Sequence, residues 1–158
     1  MRLKSGNKKG FSLVELVVTI ALFSILCLAA IPAISRLAEN GNLRSATRDI
    51  TTDIVTMKET AMTIRWPDSS AQCQITFNTG ANNYTLTTPD GNNLAKTPSA
   101  FSRDIVITNA NFDGGSTISF QPRGTTTNGT IALQNNRGSV ATITVNITGR
   151  TYAQFNMQ

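Results

Sequence analysis

The chain has 158 residues and a formal charge of +5, with no histidine and two cysteines. That length supports one modest domain plus an extension, and any metal site has to be built from oxygen ligands. The charge is weak support for nucleic-acid binding. Arg2, Lys4, Lys8 and Lys9 carry four of the fourteen positive charges, and from Phe11 onward ten Lys or Arg face nine Asp or Glu.

Those four cations precede an apolar run, where positive charge stays on the cytoplasmic side of a membrane. From Phe11 to Ala33 the polar residues are Glu15, Ser12, Thr19 and Ser24, so about 20 residues can cross a hydrocarbon core of roughly 30 Å as a helix. A cleaved secretory signal fits poorly, because Leu28 stands three places before a cut at Ala30 and Glu15 interrupts the apolar part. A lipoprotein signal fits no better, with Leu26 just before Cys27. Cys27 lies in the apolar run and Cys73 well beyond it, which argues against a bridge between them.

Glu15 needs its own explanation. A carboxylate in a spanning segment costs on the order of 3 kcal/mol near the bilayer centre, so it calls for a partner or an escape to the interface. A cut after Gly10 would create an amino group on Phe11, four residues before Glu15, able to neutralise the carboxylate of a neighbouring copy. The string Lys8-Lys9-Gly10-Phe11-Ser12-Leu13-Val14-Glu15 resembles the class III leader junction of type IV prepilins and pseudopilins. The resemblance implies a prepilin peptidase that cuts between Gly10 and Phe11 and methylates the Phe11 amine. It also implies that Glu15 sets subunit register during assembly. Gly10 suits a protease subsite that admits no side chain.

Beyond the span, Leu43, Ala46, Ile50, Ile54, Met57, Ala61 and Ile64 recur every three or four residues, one stripe on a helix. The pattern predicts a single helix from about Ser12 to Arg65, apolar all round in its first half, amphipathic in its second, and ended by Trp66-Pro67. Pro32 and Gly41 interrupt it, and Pro32 is the expected kink. Asp49 and Asp53, one turn apart beside Arg48, read as a solvated face.

After Pro67 the chain turns rich in Thr, Val and Ile between Asn, Gly and Asp turns. Strands are expected at 73–77, 84–87, 105–108, 117–121, 130–134, 141–147 and 151–155, with a mobile loop from Pro89 to Phe101. The fold class is α+β: a long N-terminal helix packed on an antiparallel β-sheet or small β-sandwich. The divisions are a leader (1–10), a spanning helix (11–34), its amphipathic continuation (35–66) and a β-rich domain (67–158). Phe120-Gln121-Pro122-Arg123-Gly124, Gly129-Thr130-Ile131-Ala132-Leu133, Gly138 and Gly149-Arg150 resemble the soluble domain of the GspH/FimT family. That family comprises minor pseudopilins of type II secretion and minor pilins of type IV pili.

The resemblance implies a structural subunit, not an enzyme, that assembles with other pilins at a filament tip or helps initiate assembly. It implies an inner-membrane protein with its C-terminal domain in the periplasm, contacting secreted cargo. No nucleophile–base arrangement is visible, and no cofactor is expected. Asp90-Gly91-Asn92-Asn93 and Asp113-Gly114-Gly115 carry oxygen ligands but lack calcium-loop spacing, and turn chemistry explains both. Some FimT-type minor pilins bind DNA through Gly-Arg-x-Arg. Here Gly149-Arg150-Thr151-Tyr152 keeps the first arginine and places Tyr152 at the second. Arg123 and Arg137 are candidates to join Arg150 in a basic face, with Tyr152 stacking on a base. A major pilin of a filament shaft is the third alternative.

Overall fold

The computed structural model describes residues 12–63, 72–98 and 104–158. The junction at Gly10 and Phe11, the helix end at Trp66-Pro67 and Ile64 lie outside these residues. By internal contacts the chain divides between Leu37 and Ala38.

Helix α1 spans Leu13–Thr63, and its assignment runs unbroken through Pro32 and Gly41. Proline lacks the N–H that would bond the carbonyl four residues back, so the continuous assignment through Pro32 does not depend on that bond. In the N-terminal unit the hydroxyls are satisfied by the helix itself. Thr19 donates to the Leu16 carbonyl and Ser24 to that of Ile20, each at 2.8 Å. This back-bonding satisfies the two hydroxyls without water.

In the second unit, eight strands follow: β1 (Cys73–Asn78), β2 (Asn83–Thr87), β3 (Asn93–Lys96), β4 (Val106–Phe112), β5 (Thr117–Phe120), β6 (Gly129–Gln134), β7 (Val140–Val145) and β8 (Thr151–Asn156). They form two four-stranded antiparallel sheets, ordered β3-β2-β1-β5 and β4-β6-β7-β8. The chain passes from one sheet to the other at Asp113-Gly114, both at positive φ, where Phe112 and Gly115 exchange backbone hydrogen bonds. This is turn chemistry of the kind the Asp-Gly string predicts.

The core is built by alternation. Ile131 and Leu133 on β6 and Ala141, Ile143 and Val145 on β7 are fully buried, while the residues between them are half-exposed. Leu43, Ala46, Ile50, Ile54, Met57 and Ala61 bury the predicted helix stripe against residues of both sheets. At ~1.5–3 kcal/mol for each large apolar side chain, this burial is the main force holding the unit together.

Four expectations need correction. The stretch read as a mobile loop contains β3, which lacks a β-branched signature and is held by pairing with β2 and by a turn in which Thr88 N bonds Asn92 O. The strand expected to reach Ile147 stops at Val145. Ile147 is 64% exposed, and its carbonyl accepts from Thr126 N. β4 is longer than expected because a bulge between Ile107 and Asn109 lets it continue past an Asn-rich stretch. Finally, Asp53 does not lie on a solvated face. It is buried, accepting from the Tyr84 hydroxyl at 2.7 Å and from Lys96 Nζ at 2.6 Å.

Candidate functional site

The candidate residues fall in two regions: the apolar half of α1 and one end of the β-domain. Glu15 lies in the first turn of α1 and is exposed. A negative charge there suits the positive end of the helix dipole. No described residue pairs with it. Around it Leu13, Leu16, Ile20, Phe23, Leu26, Leu28 and Leu37 are all more than half exposed. This surface surrounds the helix, as expected of a membrane or filament-core segment and not of a soluble domain's surface.

At the end of the β-domain, Lys58 from α1 runs between two turns. Its Nζ donates to the Thr148 carbonyl at 2.9 Å. Gly124 and Gly149 both have positive φ, +79° and +71°. A Cβ on Gly149 would lie 2.8 Å from Lys58 Cδ, and one on Gly124 would lie 3.4 Å from Lys58 Cε. The positive φ favours glycine at both turns, and the flexible Lys58 stem lies against Gly149. The turns place Arg123 and Arg150, each next to one of the glycines, at the same end of the domain as Lys58. Lys58 stands in no motif, so its membership was invisible in the sequence.

Arg137 does not join them. It sits in the β6–β7 turn, with Nε 2.7 Å from Glu39 Oε2. Arg137 precedes β7 and Arg150 follows it, so six residues of strand separate them, about 20 Å. A single face made of Arg123, Arg137 and Arg150 is therefore not formed. Tyr152 is 52% exposed on β8 opposite Thr144, so its ring is accessible.

The remaining candidates resolve into structural roles. Burial, then the Asp53 hydrogen bond, pushes the Tyr84 hydroxyl well above its ordinary value, so it stays a donor. Burial, then the charge of Asp90, raises the Cys73 thiol, which makes it an inert core group; Cys27 is also a free thiol. The Asp90 carboxyl is held low, first by the Thr88 hydroxyl, and it also accepts from Asn92. Asp90 thus closes a turn. Among the described residues no cluster of three or more Cys, Asp or Glu converges as a metal site.

Two family models match the chain. The prokaryotic N-terminal methylation motif covers residues 5–31, which include Gly10, Phe11 and Glu15. The type II transport protein GspH family covers residues 46–149, well over half of the chain. No curated protein and no solved structure shows a match. α1 is long and apolar enough to cross a membrane, and with the methylation motif it supports membrane anchoring. The chain belongs to the GspH family and is a pseudopilin or minor pilin subunit, of a kind that assembles with other pilins after acting as the substrate of a prepilin peptidase.

Proposed function

We propose that the chain is cut between Gly10 and Phe11, methylated on the Phe11 amine, and packed by α1 into a filament where Glu15 neutralises the amine of a neighbouring subunit. The carrying observation is the all-round apolar surface of residues 13–28 and 31–34, in which Glu15 is the one charged residue and has no partner among the described residues. Inside a bundle of staggered helices the attraction between a carboxylate and an amine offsets the desolvation of both; either alone is left uncompensated. The uncut chain orients its basic leader toward the cytoplasm and its β-domain toward the periplasm. The subunit acts at or near the tip of a type II secretion pseudopilus or type IV pilus, helping initiate assembly, and its β-domain contacts cargo.

Intact-mass measurement of the membrane fraction tests the processing step. A chain beginning at methylated Phe11 is expected, and one beginning at Met1 or Ile31 overturns the reading. Glu15→Ala is expected to abolish incorporation into sheared filaments while leaving the β-domain folded; unchanged incorporation overturns the pairing.

A second reading, DNA capture, is favoured by the convergence of Lys58, Arg123 and Arg150, with Tyr152 accessible nearby in sequence. Three cations give salt-sensitive binding, with a slope of about −2 to −3 in a log–log plot. A shift assay across a salt series decides it. Retained binding in Arg150→Ala, or no binding at low salt, removes the idea.

A further inference from the structure

Each of the two sheets leaves two edges, and three of the four are protected. β3 is four residues long and ends in Lys96. β5 is covered by the following segment: Ser119 N donates to Thr127 Oγ1, Thr127 N donates to Ser119 O, and Phe120 bridges to Thr126. β4 is bulged, and the Asn82 side chain occupies Ile105 O and Ile107 N. Short length, lysine, bulges and coverage are the devices that keep natural edges from pairing with other chains.

β8 has none of them. It reads Thr-Tyr-Ala-Gln-Phe-Asn, six residues without charge, proline or glycine, in unbroken register with β7. Asn146 N donates to Arg150 O at 3.0 Å, which sets the phase of the ladder. In an antiparallel pair the hydrogen-bonded positions alternate, so Tyr152, Gln154 and Asn156 bond β7 while Thr151, Ala153 and Phe155 turn their N–H and C=O outward. No described residue bonds those outward groups.

The side chains of Thr151, Ala153 and Phe155 line a groove of about 460 Å³ shared with Thr47, Arg48 and Thr51 of α1. Arg44 stands over the Phe155 ring, 5.8 Å from its centroid. Neither Arg44 nor Arg48 is in an ion pair among the described residues. Of the acidic residues nearest in sequence, Asp53 is occupied by Tyr84 and Lys96, and Asp49 forms no ion pair among the described residues.

We propose that β8 is an open docking edge that accepts an extended, acidic segment of another protein as a fifth strand of its sheet. Main-chain bonds to Thr151, Ala153 and Phe155 hold the segment. Side chains at its alternate positions enter the groove, where carboxylates meet Arg48 and Arg44. A second copy of this chain would set the same arginines against themselves, so charge favours a different, acidic partner. This surface is independent of Phe11 processing and of Glu15, so its failure leaves the filament reading untouched.

The test uses the full chain in neutral detergent micelles and fluorescence anisotropy with a labelled peptide of alternating glutamate and valine, about six residues long to match the strand. Saturable binding is expected, at least tenfold tighter than that of the lysine–valine counterpart. Ala153→Pro removes one outward N–H without touching a bond to β7, so it is expected to weaken binding at least tenfold. Arg48→Glu, on the helix surface, is expected to do the same and carries the test should the proline variant lose its folded circular dichroism. No binding of the glutamate peptide, equal binding of both peptides, or indifference to both substitutions overturns the proposal. A single-stranded oligonucleotide that binds in its place and is lost in Ala153→Pro, or self-association of the chain abolished by that substitution, would replace the acidic segment as occupant and overturns it as well.

Discussion

The two stretches of α1 on either side of Leu37 use apolar residues in opposite ways. In residues 13–28 and 31–37 they appear on every face and stay exposed. In residues 43–61 all but the half-exposed Val55 occupy one stripe, and every member of that stripe is at most 3% exposed. A stripe can be buried by the chain's own sheets; an all-round apolar surface has to be covered by something outside the chain. Periodicity therefore separates burial within a subunit from burial between subunits, before any partner is known.

Substitutions on the two sides should sharpen that difference. The largest effect on the domain is expected from Ile54→Ala, which opens a cavity in the core and should cost about 2–5 kcal/mol in a urea titration of β-sheet signal. Leu22→Ala, equally apolar but on the exposed segment, should leave the domain's midpoint unchanged. A shift comparable to that of Ile54→Ala would break the contrast.

Asp53→Ala comes next, at about 1–3 kcal/mol, because the Tyr84 hydroxyl loses its buried acceptor. Lys96 is partly solvated and adds little. The same site predicts a pH dependence. Tyr84 is held above its ordinary value near 10 in the folded chain, so the unfolded chain releases that proton first. The contribution is whole below about pH 10. It declines above that, by up to about 1.4 kcal/mol per pH unit. Tyr84→Phe should flatten the alkaline limb of a stability–pH profile, and an unchanged slope would show that this hydroxyl does not set it.

The smallest effect is expected from Arg137→Ala. Its pair with Glu39 is partly exposed, and such pairs are worth about 0–1 kcal/mol. A midpoint shift as large as that of Asp53→Ala would mean that the β6–β7 turn depends on this contact more than its exposure suggests.

Much of the fold was legible because its signals are local. The helix stripe, the alternation in β7 and the Asp-Gly turn each follow from spacing within a few residues. β3 was missed because Asn-Leu-Ala-Lys has no intrinsic β preference and is a strand only beside β2. Asp53 was misread for a related reason: its partners lie 31 and 43 residues away. The three arginines read as one basic face are divided. Arg123 and Arg150 lie at one end with Lys58, while Arg137 lies at the other, and strand direction decides that.

The sequence alone determined what is written in short-range order. This covers the junction around Gly10 and Phe11, the apolar segment with Glu15 in it, the amphipathic stripe and the β-rich character of the rest, since charge, hydropathy and period are properties of neighbours. Only the tertiary structure decided which edges are covered, that Lys58 threads between Gly124 and Gly149, that Asp53 is buried, and that β8 lies open beside Arg44 and Arg48. Those depend on contacts between residues far apart in the chain, where long-range pairing and close approach, not local preference, set the free energy.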